Sequence, residues 1–509
     1  MLYEEYIDYL QNIIRRSSID KNSSLVRFYQ KLLIRSISCR LKVVNKNLVG
    51  NSYMSTSKSA ISFDDIITLV FNLRNLSVNY SSSKFYFCKR YGSSFFFQTP
   101  FFYVSCVQCL WNYSVLPIVE KDSDKFSYGF RPFRVMQDLF MEIKNSFLKK
   151  KLFLWIVDLK INFSVNLCNS DWLIKNFPIE KKVLRSWLKL NTFSFQNDLS
   201  YPEDGNIFFS LVNFSLNGLV RLCEIFLNES FFTFSFNIFR FFDRILIFTT
   251  DTSESFLLTR NCLNFLQSRN LSVKQENLFV SFASEGFHFL NWRFYYTSCF
   301  FIGIPSLNLI KAQKSSLNLV IKNSNNVNIS WIIKNINLQI DSWIYSCSFL
   351  DFYWDLSNEL DVFLYKLLWG WVKRRHPRRS NTWIYSKYWN YLFGKWRFFV
   401  KDIISGKILL IKSHLYYKTR VFRVPNSIDV FDFNNKSKVN DIWFKKIRKN
   451  FRGICSLLYN NQKGLCSICN RLIFSTSLND FRILRKKKQI SSANTFISNL
   501  ILIHTYCEF

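Results

Sequence analysis

Lys373-Arg374-Arg375-His376-Pro377-Arg378-Arg379 sets five fixed positive charges within seven positions, with Trp369, Trp371 and Trp383 close by. Cations at that density neutralise phosphates, and aromatic or guanidinium planes stack on unpaired bases. A core role would account for Trp369 or Trp371, or both. It does not account for the charges, because Pro377 breaks a helix and gathers them at its end. Arg35, Arg131 and Arg134 are weaker candidates for phosphate contact. A second constellation lies near the C-terminus, where Cys466-Ser467-Ile468-Cys469 is followed at a distance by His504-Thr505-Tyr506-Cys507. Two pairs so spaced can complete a tetrahedral zinc site of three sulfurs and one imidazole, so zinc is expected there. Finally, two short apolar runs each hold a single carboxylate, Asp158 and Asp243.

The whole chain shares the bias of the first cluster. Its 509 residues carry 68 Lys and Arg against 35 Asp and Glu, a formal net charge of +33. Such a charge repels itself unless a polyanion neutralises it, and counterion release then favours binding. Nucleic acid is the first candidate partner, and an anionic membrane surface ranks behind it. There are 56 Phe against only 12 Gly. No fold requires that ratio; it points to an AT-biased, organellar genome. The 13 Cys sit mostly alone in or beside apolar runs, which suits a reducing compartment rather than a secreted disulfide framework. The N-terminus, Met-Leu-Tyr-Glu-Glu-Tyr, has neither transit- nor signal-peptide character, so synthesis inside the organelle is expected.

The elements that must position these residues follow from periodicity. Residues 1–50 read as helical, with Arg27, Lys31 and Arg35 on one face. The uncharged stretch Ser93 to Val119 is long enough to span a bilayer, but it contains Gln98, Pro100, Gln108 and Asn112 and reads as buried strand and helix. Residues 150–250 alternate short apolar runs with polar breaks, as in a mixed sheet with helices. Residues 305–400 are helical in period and rich in Trp and basic residues, and 401–455 are basic and less regular.

Several segments, in order, resemble the group II intron reverse transcriptase/maturase family. Tyr128-Gly129-Phe130-Arg131-Pro132 is similar to the motif that precedes the first catalytic strand, here Leu154-Trp155-Ile156-Val157-Asp158-Leu159-Lys160. Tyr201-Pro202-Glu203-Asp204-Gly205, with Asn213 and Leu216-Asn217-Gly218-Leu219, resembles the Pro-Gln-Gly-Gly segment and its helix. Arg240-Phe241-Phe242-Asp243-Arg244-Ile245-Leu246-Ile247 resembles the strand-turn-strand built on Tyr-Ala-Asp-Asp, and Ser284 to Leu290 the hairpin that closes the palm. Gln30 to Ser36 resembles the N-terminal RNA-contacting helix, and Leu367 to Pro377, with Trp383 and Lys387, the maturase domain that serves as thumb. The C-terminal pairs resemble an HNH endonuclease scaffold, but Ser475 to Ser498 between them has no His and only Asp480 as an acid.

The resemblance implies an α+β fold: right-hand reverse-transcriptase-like fingers and palm, a helical thumb (maturase domain X) and a small C-terminal zinc-knuckle, HNH-like domain. The expected division is N-terminal helices and fingers at 1–120, palm at 121–300, thumb at 301–400, basic connector at 401–455 and Cys-pair domain at 456–509. It also implies that Asp158 and Asp243 descend from a two-metal polymerase site whose third carboxylate is replaced by Arg244. A guanidinium is permanently cationic and accepts nothing, so magnesium is not expected to bind productively. The function implied is a maturase that binds structured intron RNA and assists its folding and splicing, with DNA secondary and no membrane. The alternative is an active RNA-directed DNA polymerase or intron-mobility protein. Plastid location is expected over mitochondrion.

Overall fold

The computed structural model describes residues 2–50, 63–73, 85–90, 93–132, 134, 136–149, 153–161, 170–189, 207–229, 236–296, 300–324, 327–392, 395–401, 408–416, 428–435, 437–438, 441–442, 454–468, 473, 481–485 and 500–504. Its elements begin with α1 (Leu2–Ile19), α2 (Ser23–Arg35), α3 (Ile37–Gly50), α4 (Phe63–Asn72), the hairpin β1 (Phe85–Arg90) and β2 (Ser93–Gln98), α5 (Thr99–Lys121) and α6 (Met136–Lys149). There follow β3 (Trp155–Lys160), α7 (Ser170–Asn176), α8 (Lys181–Lys189), α9 (Ile207–Leu216), α10 (Leu219–Glu229), β4 (Asn237–Phe241), β5 (Arg244–Thr249), α11 (Thr252–Ser268), β6 (Leu278–Phe282), β7 (Phe287–Phe289), β8 (Trp292–Tyr296) and β9 (Phe301–Pro305). The chain continues through α12 (Leu307–Lys322), α13 (Ile329–Cys347), α14 (Tyr353–Arg375), α15 (Asn381–Tyr388), β10 (Trp389–Leu392), β11 (Lys395–Lys401), β12 (Ile408–Leu410), α16 (Ile454–Asn461), β13 (Phe481–Arg485) and β14 (Leu500–His504). This is a mixed helix-and-sheet fold, as the expected α+β class requires.

Two compact units emerge. The first gathers Met1–Glu142, Val157–Phe279 and Phe422–Phe509; the second gathers Ile143–Ile156 and Val280–Val421. The basic stretch 401–455 therefore contributes to both units. Its acids explain part of that in the first unit, where Asp429 and Asp432 both pair with Arg15 of α1.

In the first unit the uncharged stretch becomes β2 and α5, and α5 places Val107, Leu110, Trp111 and Val115 in the core. One further apolar stretch, Ile207–Ile225, is long and apolar enough to cross a membrane, but most of it is buried within the protein. It is two core helices, α9 and α10, separated at Asn217-Gly218, where Gly218 has φ +90°. The sheet that carries the carboxylates has the order β4-β5-β3-β6. As an interior strand, β3 is buried over Ile156–Leu159, so Asp158 is set in an apolar surround.

The second unit is built on α12, α13 and α14, with Leu317, Ile336, Ile340, Leu364 and Leu368 in its core. Ser306 and Asn328 cap α12 and α13 through their side chains, as short polar residues do where the first helical N–H groups lack partners. Residues 408–416 are strapped onto these helices. Asn337 donates to the Leu410 carbonyl at 2.8 Å and accepts from the Lys412 N–H at 2.8 Å, while Lys412 pairs with Asp341 at 2.6 Å. The buried His414 meets Asp361 through Nδ1 at 2.6 Å and through its backbone N–H at 2.9 Å. Burial pushes the Asp361 carboxyl up, but these bonds and the one from Ser413 outweigh it and hold the carboxyl below its ordinary range.

Candidate nucleic-acid interface

The helix α14 ends where its sequence dictates. The His376 N–H reaches the Val372 carbonyl at 2.9 Å, Pro377 cannot continue the ladder, and Ser380 caps α15 by accepting from the Trp383 N–H at 3.3 Å. Lys373, Arg374 and Arg375 form the last turn of α14, where the helix dipole favours cations. Together with Arg378, Arg379 and Lys387 they are exposed, and among the described residues none has an acidic partner. Four of the six are ordered by aromatic rings. Lys373 lies over Trp369 at 5.4 Å and Arg375 over Trp371 at 5.1 Å. Arg379 and Lys387 both approach the Trp383 ring, at 5.1 and 4.6 Å. Exposed contacts of this kind contribute about 0.5–1 kcal/mol each, enough to bias long side chains toward one arrangement. His376 bridges the turn, with Nε2 2.7 Å from the Tyr388 hydroxyl; burial and then Lys387, Arg375 and Arg379 lower its pKa.

Of the Trp residues read from sequence, Trp371 is buried and Trp369 packs partly into the core. Trp383 is half-buried, and the two cations occupy its ring, so it orders charge rather than presenting an open face. Trp396 on β11, which sequence reasoning passed over, is 61% exposed and stands 5.9 Å from Tyr385. Its signal was a hairpin pattern within a stretch read as helical.

Arg131 and Arg134 do not belong to such a surface, and here the sequence expectation is corrected. Arg131 is buried; it donates to both Glu120 oxygens at 2.8 and 2.7 Å and to the carbonyls of Asp124 and Ser127 at 2.9 and 2.8 Å. Arg134 is also buried and reaches the Ile428 carbonyl at 3.4 Å. Neither can offer its charge to a phosphate. Arg35 is exposed at the end of α2, in line with Arg27 and Lys31.

The motif residues of the first unit converge around β4. The Tyr128 N–H donates to the Arg240 carbonyl and the Arg240 N–H to the Phe126 carbonyl, both at 2.9 Å, which pins the Tyr-Gly-Phe-Arg-Pro segment to the strand. A Cβ at Gly129 would lie 2.5 Å from the Phe242 backbone nitrogen, so only glycine fits. Asn213 donates to the Gly129 carbonyl at 2.9 Å, and the buried Arg240 donates to Asn217 at 2.9 Å. Phe130 and Phe242 both take positive φ, +53° and +56°, and their rings meet at 5.1 Å. Non-glycine residues in that conformation persist only where their surroundings over-determine them.

The turn so fixed, Phe242-Asp243, joins β4 to β5 and brings Arg244 against β3. Arg244 Nη1 lies 3.0 Å from Asp158 Oδ2, with the two side chains 26% and 10% exposed. Burial raises the Asp158 pKa, Arg244 opposes, Asp243 adds, and the carboxyl sits at about 6. Burial also raises Asp243, against Lys160 and Arg244. Asp158 Oδ1 is buried without a hydrogen-bond partner. The Arg244 guanidinium occupies the other oxygen of Asp158.

At the C-terminus, Cys466 is buried and His504 ends β14 opposite Phe481 of β13. Cys469 and Cys507 lie outside the described residues, as does the His504 side chain.

Comparison with known proteins adds a family. Ribosomal operon-associated A protein of Euglena longa is 30% identical over 527 aligned positions, covering 100% of this chain and 96% of that protein. The chain belongs to this family. Its Euglena gracilis namesake is 38% identical over 39% of each chain. An uncharacterized 59.8 kDa protein in psbD intron 8 of Euglena gracilis is 26% identical over 68% of this chain and 76% of its own length. No protein-family model matches. Among solved structures, telomerase from Candida albicans in complex with a telomeric RNA fragment aligns with 49% of this chain and 51% of its own at 12% identity and a TM-score of 0.25, too low to bear on fold or function. For this ribosomal operon-associated A family member, the α14–α15 turn is the site where charge is most openly presented among the candidates described.

Proposed function

We propose that this protein is an intron-related RNA-binding protein of maturase type, which holds a structured group II intron in its splicing-competent fold and does not itself polymerise DNA. The observation that carries the reading is the α14–α15 turn, where six exposed cations stand without acidic partners among the described residues and four of them are ordered by tryptophan rings. A surface of that kind gains free energy only from a polyanion. A net charge of +33 and a relative named for its place in psbD intron 8 support RNA of the same intron class as the partner. The contribution to splicing would be differential: tighter binding to the native RNA fold than to misfolded ones shifts the population toward the former. An organellar, plastid setting suits the composition and that relative.

Loss of polymerase chemistry rests on Arg244, which takes the place of a carboxylate and pairs with Asp158. The C-terminal Cys466, Cys469, His504 and Cys507 remain a proposed zinc site, checked by elemental analysis of the purified chain and of Cys466→Ser.

Two measurements test the proposal. Folded intron transcripts should bind at near-physiological salt and splice faster with the protein at limiting magnesium; a chain that ignores them overturns the RNA reading. Primer extension on a poly(rA) template with magnesium or manganese should yield no product. Product that disappears in Asp158→Ala would instead establish an active polymerase.

A further inference from the structure

Glycine is scarce in this chain, 12 of 509 residues, yet one of them stands inside the 23-residue helix α14. A glycine in a helix interior lowers the folding equilibrium roughly 2- to 5-fold against alanine, through the extra freedom of the unfolded chain. Among the described residues nothing demands it at position 370. A Cβ built on Gly370 would meet only the tip of the Arg374 side chain, with Nη1 at 3.7 Å. That is ordinary van der Waals contact with the far end of a flexible group, so alanine would fit. Gly129 gives the contrast, since its Cβ would strike the Phe242 backbone. The surroundings of Gly370 are cationic. Helical spacing sets Lys366 one turn before it and Lys373 and Arg374 one turn after it, as neighbours on one surface. All three are exposed, and none has an acidic partner among the described residues. Lys373 is held to one side, over the Trp369 ring at 5.4 Å.

We infer that Gly370 is a notch in which the sugar-phosphate backbone of RNA comes against α14, with Lys366 and Arg374 bracketing the seated phosphate and Lys373 beside them. The inference rests on the RNA reading of the α14–α15 turn; it carries the contact one turn back along the helix and adds Lys366 to the binding residues. A missing Cβ lets a ligand approach the main chain more closely than any other residue allows. Closeness is what the three cations need. Coulomb attraction grows as separation falls, and a direct charge-assisted hydrogen bond is stronger than a neutral one. From Lys366 to Arg375 the cations extend over about 14 Å of helix, at 1.5 Å per residue. A run of phosphates matches that length, and a single carboxylate does not. The glycine thus lowers the stability of the free protein and contributes only when the polyanion is in place.

The test uses the full-length protein, a folded intron transcript as probe, and two readouts of opposite expected sign. Gly370→Ala should raise the denaturant midpoint and yet weaken RNA binding about 10-fold, the lower end for loss of one charge-assisted contact. The salt slope should fall by about 0.7–0.9, one phosphate. Gly370→Gln, which fills the notch with another good helix former, should weaken binding further without loss of stability. Lys366→Ala should lose about as much affinity as Gly370→Ala. Joined to Gly370→Gln it should lose less than the two separate effects combined, because both act on one phosphate. A more stable Gly370→Ala that binds as wild type does, or a Lys366→Ala with unchanged affinity and slope, would overturn the inference. So would a Gly370→Ala of lower stability, which would give the glycine a reason internal to the fold. Polyglutamate bound as tightly as the transcript, and as sensitive to Gly370→Gln, would assign the notch to acidic protein segments and overturn it as well. The combined variant Arg374→Ala, Arg375→Ala, Arg378→Ala and Arg379→Ala keeps the two readings apart. It should weaken binding and flatten the salt slope whatever Gly370 does; if it also left every affinity unchanged, the RNA reading of the turn would fail with the notch.

Discussion

Two groups of basic residues in this protein differ in where their counter-charge comes from. In the first unit, three arginines find their counter-charge or hydrogen-bond partners within the fold: Arg131 in Glu120, Arg244 in Asp158, and Arg240 in Asn217 and the nearby Asp124. These side chains are buried or half-buried, and each fixes a junction between segments. In the second unit, Lys373, Arg374, Arg375, Arg378, Arg379 and Lys387 lie exposed, and aromatic rings hold Lys373, Arg375, Arg379 and Lys387 without neutralising them. A paired guanidinium organises a fold; an unpaired one attracts a polyanion. Both groups stand in segments that look alike when read as strings of Arg and aromatic residues.

The comparison breaks or sharpens at defined substitutions. The largest effect is expected from Glu120→Ala, which strands the buried Arg131 guanidinium. Losing one partner of a buried pair costs about 3–5 kcal/mol, measurable as a shift in denaturant midpoint. If Arg131 were instead a phosphate contact, the variant would be stable and would bind RNA more tightly. Next in size, the four-arginine variant of the α14–α15 turn should lose affinity for intron RNA on the order of 10²-fold and shed a salt slope of about three, at roughly 0.7–0.9 per phosphate contact. Its stability should hold within about 0.5 kcal/mol, as for other exposed sites. Gly129→Ala should destabilise by about 1–3 kcal/mol, because its methyl group meets the Phe242 backbone rather than a side chain that can swing away.

A pH-dependent effect concerns Asp158. Its carboxyl, raised by burial to about 6 from an ordinary 3.8, binds a proton more tightly folded than unfolded. Stability from this group is therefore fully present below about pH 4 and is lost as pH rises through about 6. Removing Arg244, which lowers that pKa, should move the upper edge of the window higher. Chemical denaturation of wild type, Arg244→Ala and Asp158→Asn between pH 4 and 7 would show it; a slope unchanged in Asp158→Asn would assign the dependence to another group.

Much of the architecture could be read from residue order. Helical spacing in residues 1–50 and the strand Trp155–Lys160 were legible because period and apolarity agree there. The cation turn was legible because Pro377 must end α14. The roles of Arg131 and Arg134 were not, since their partners Glu120 and Ile428 are set by tertiary packing that no local pattern announces. Trp396 was hidden for a related reason. Its exposure depends on the β10–β11 register, and a run such as Trp389 to Phe399 satisfies helical and strand readings alike.

The most direct test of the difference between the two groups is ultraviolet crosslinking of the full-length protein to folded intron RNA, followed by mass spectrometry of the crosslinked peptides. Crosslinks should fall on residues 373–387, with Lys373 among them, and should spare Arg131, Arg240 and Arg244. Crosslinks gathered instead around Asp158 and Asp243, with the α14–α15 turn untouched, would contradict the account.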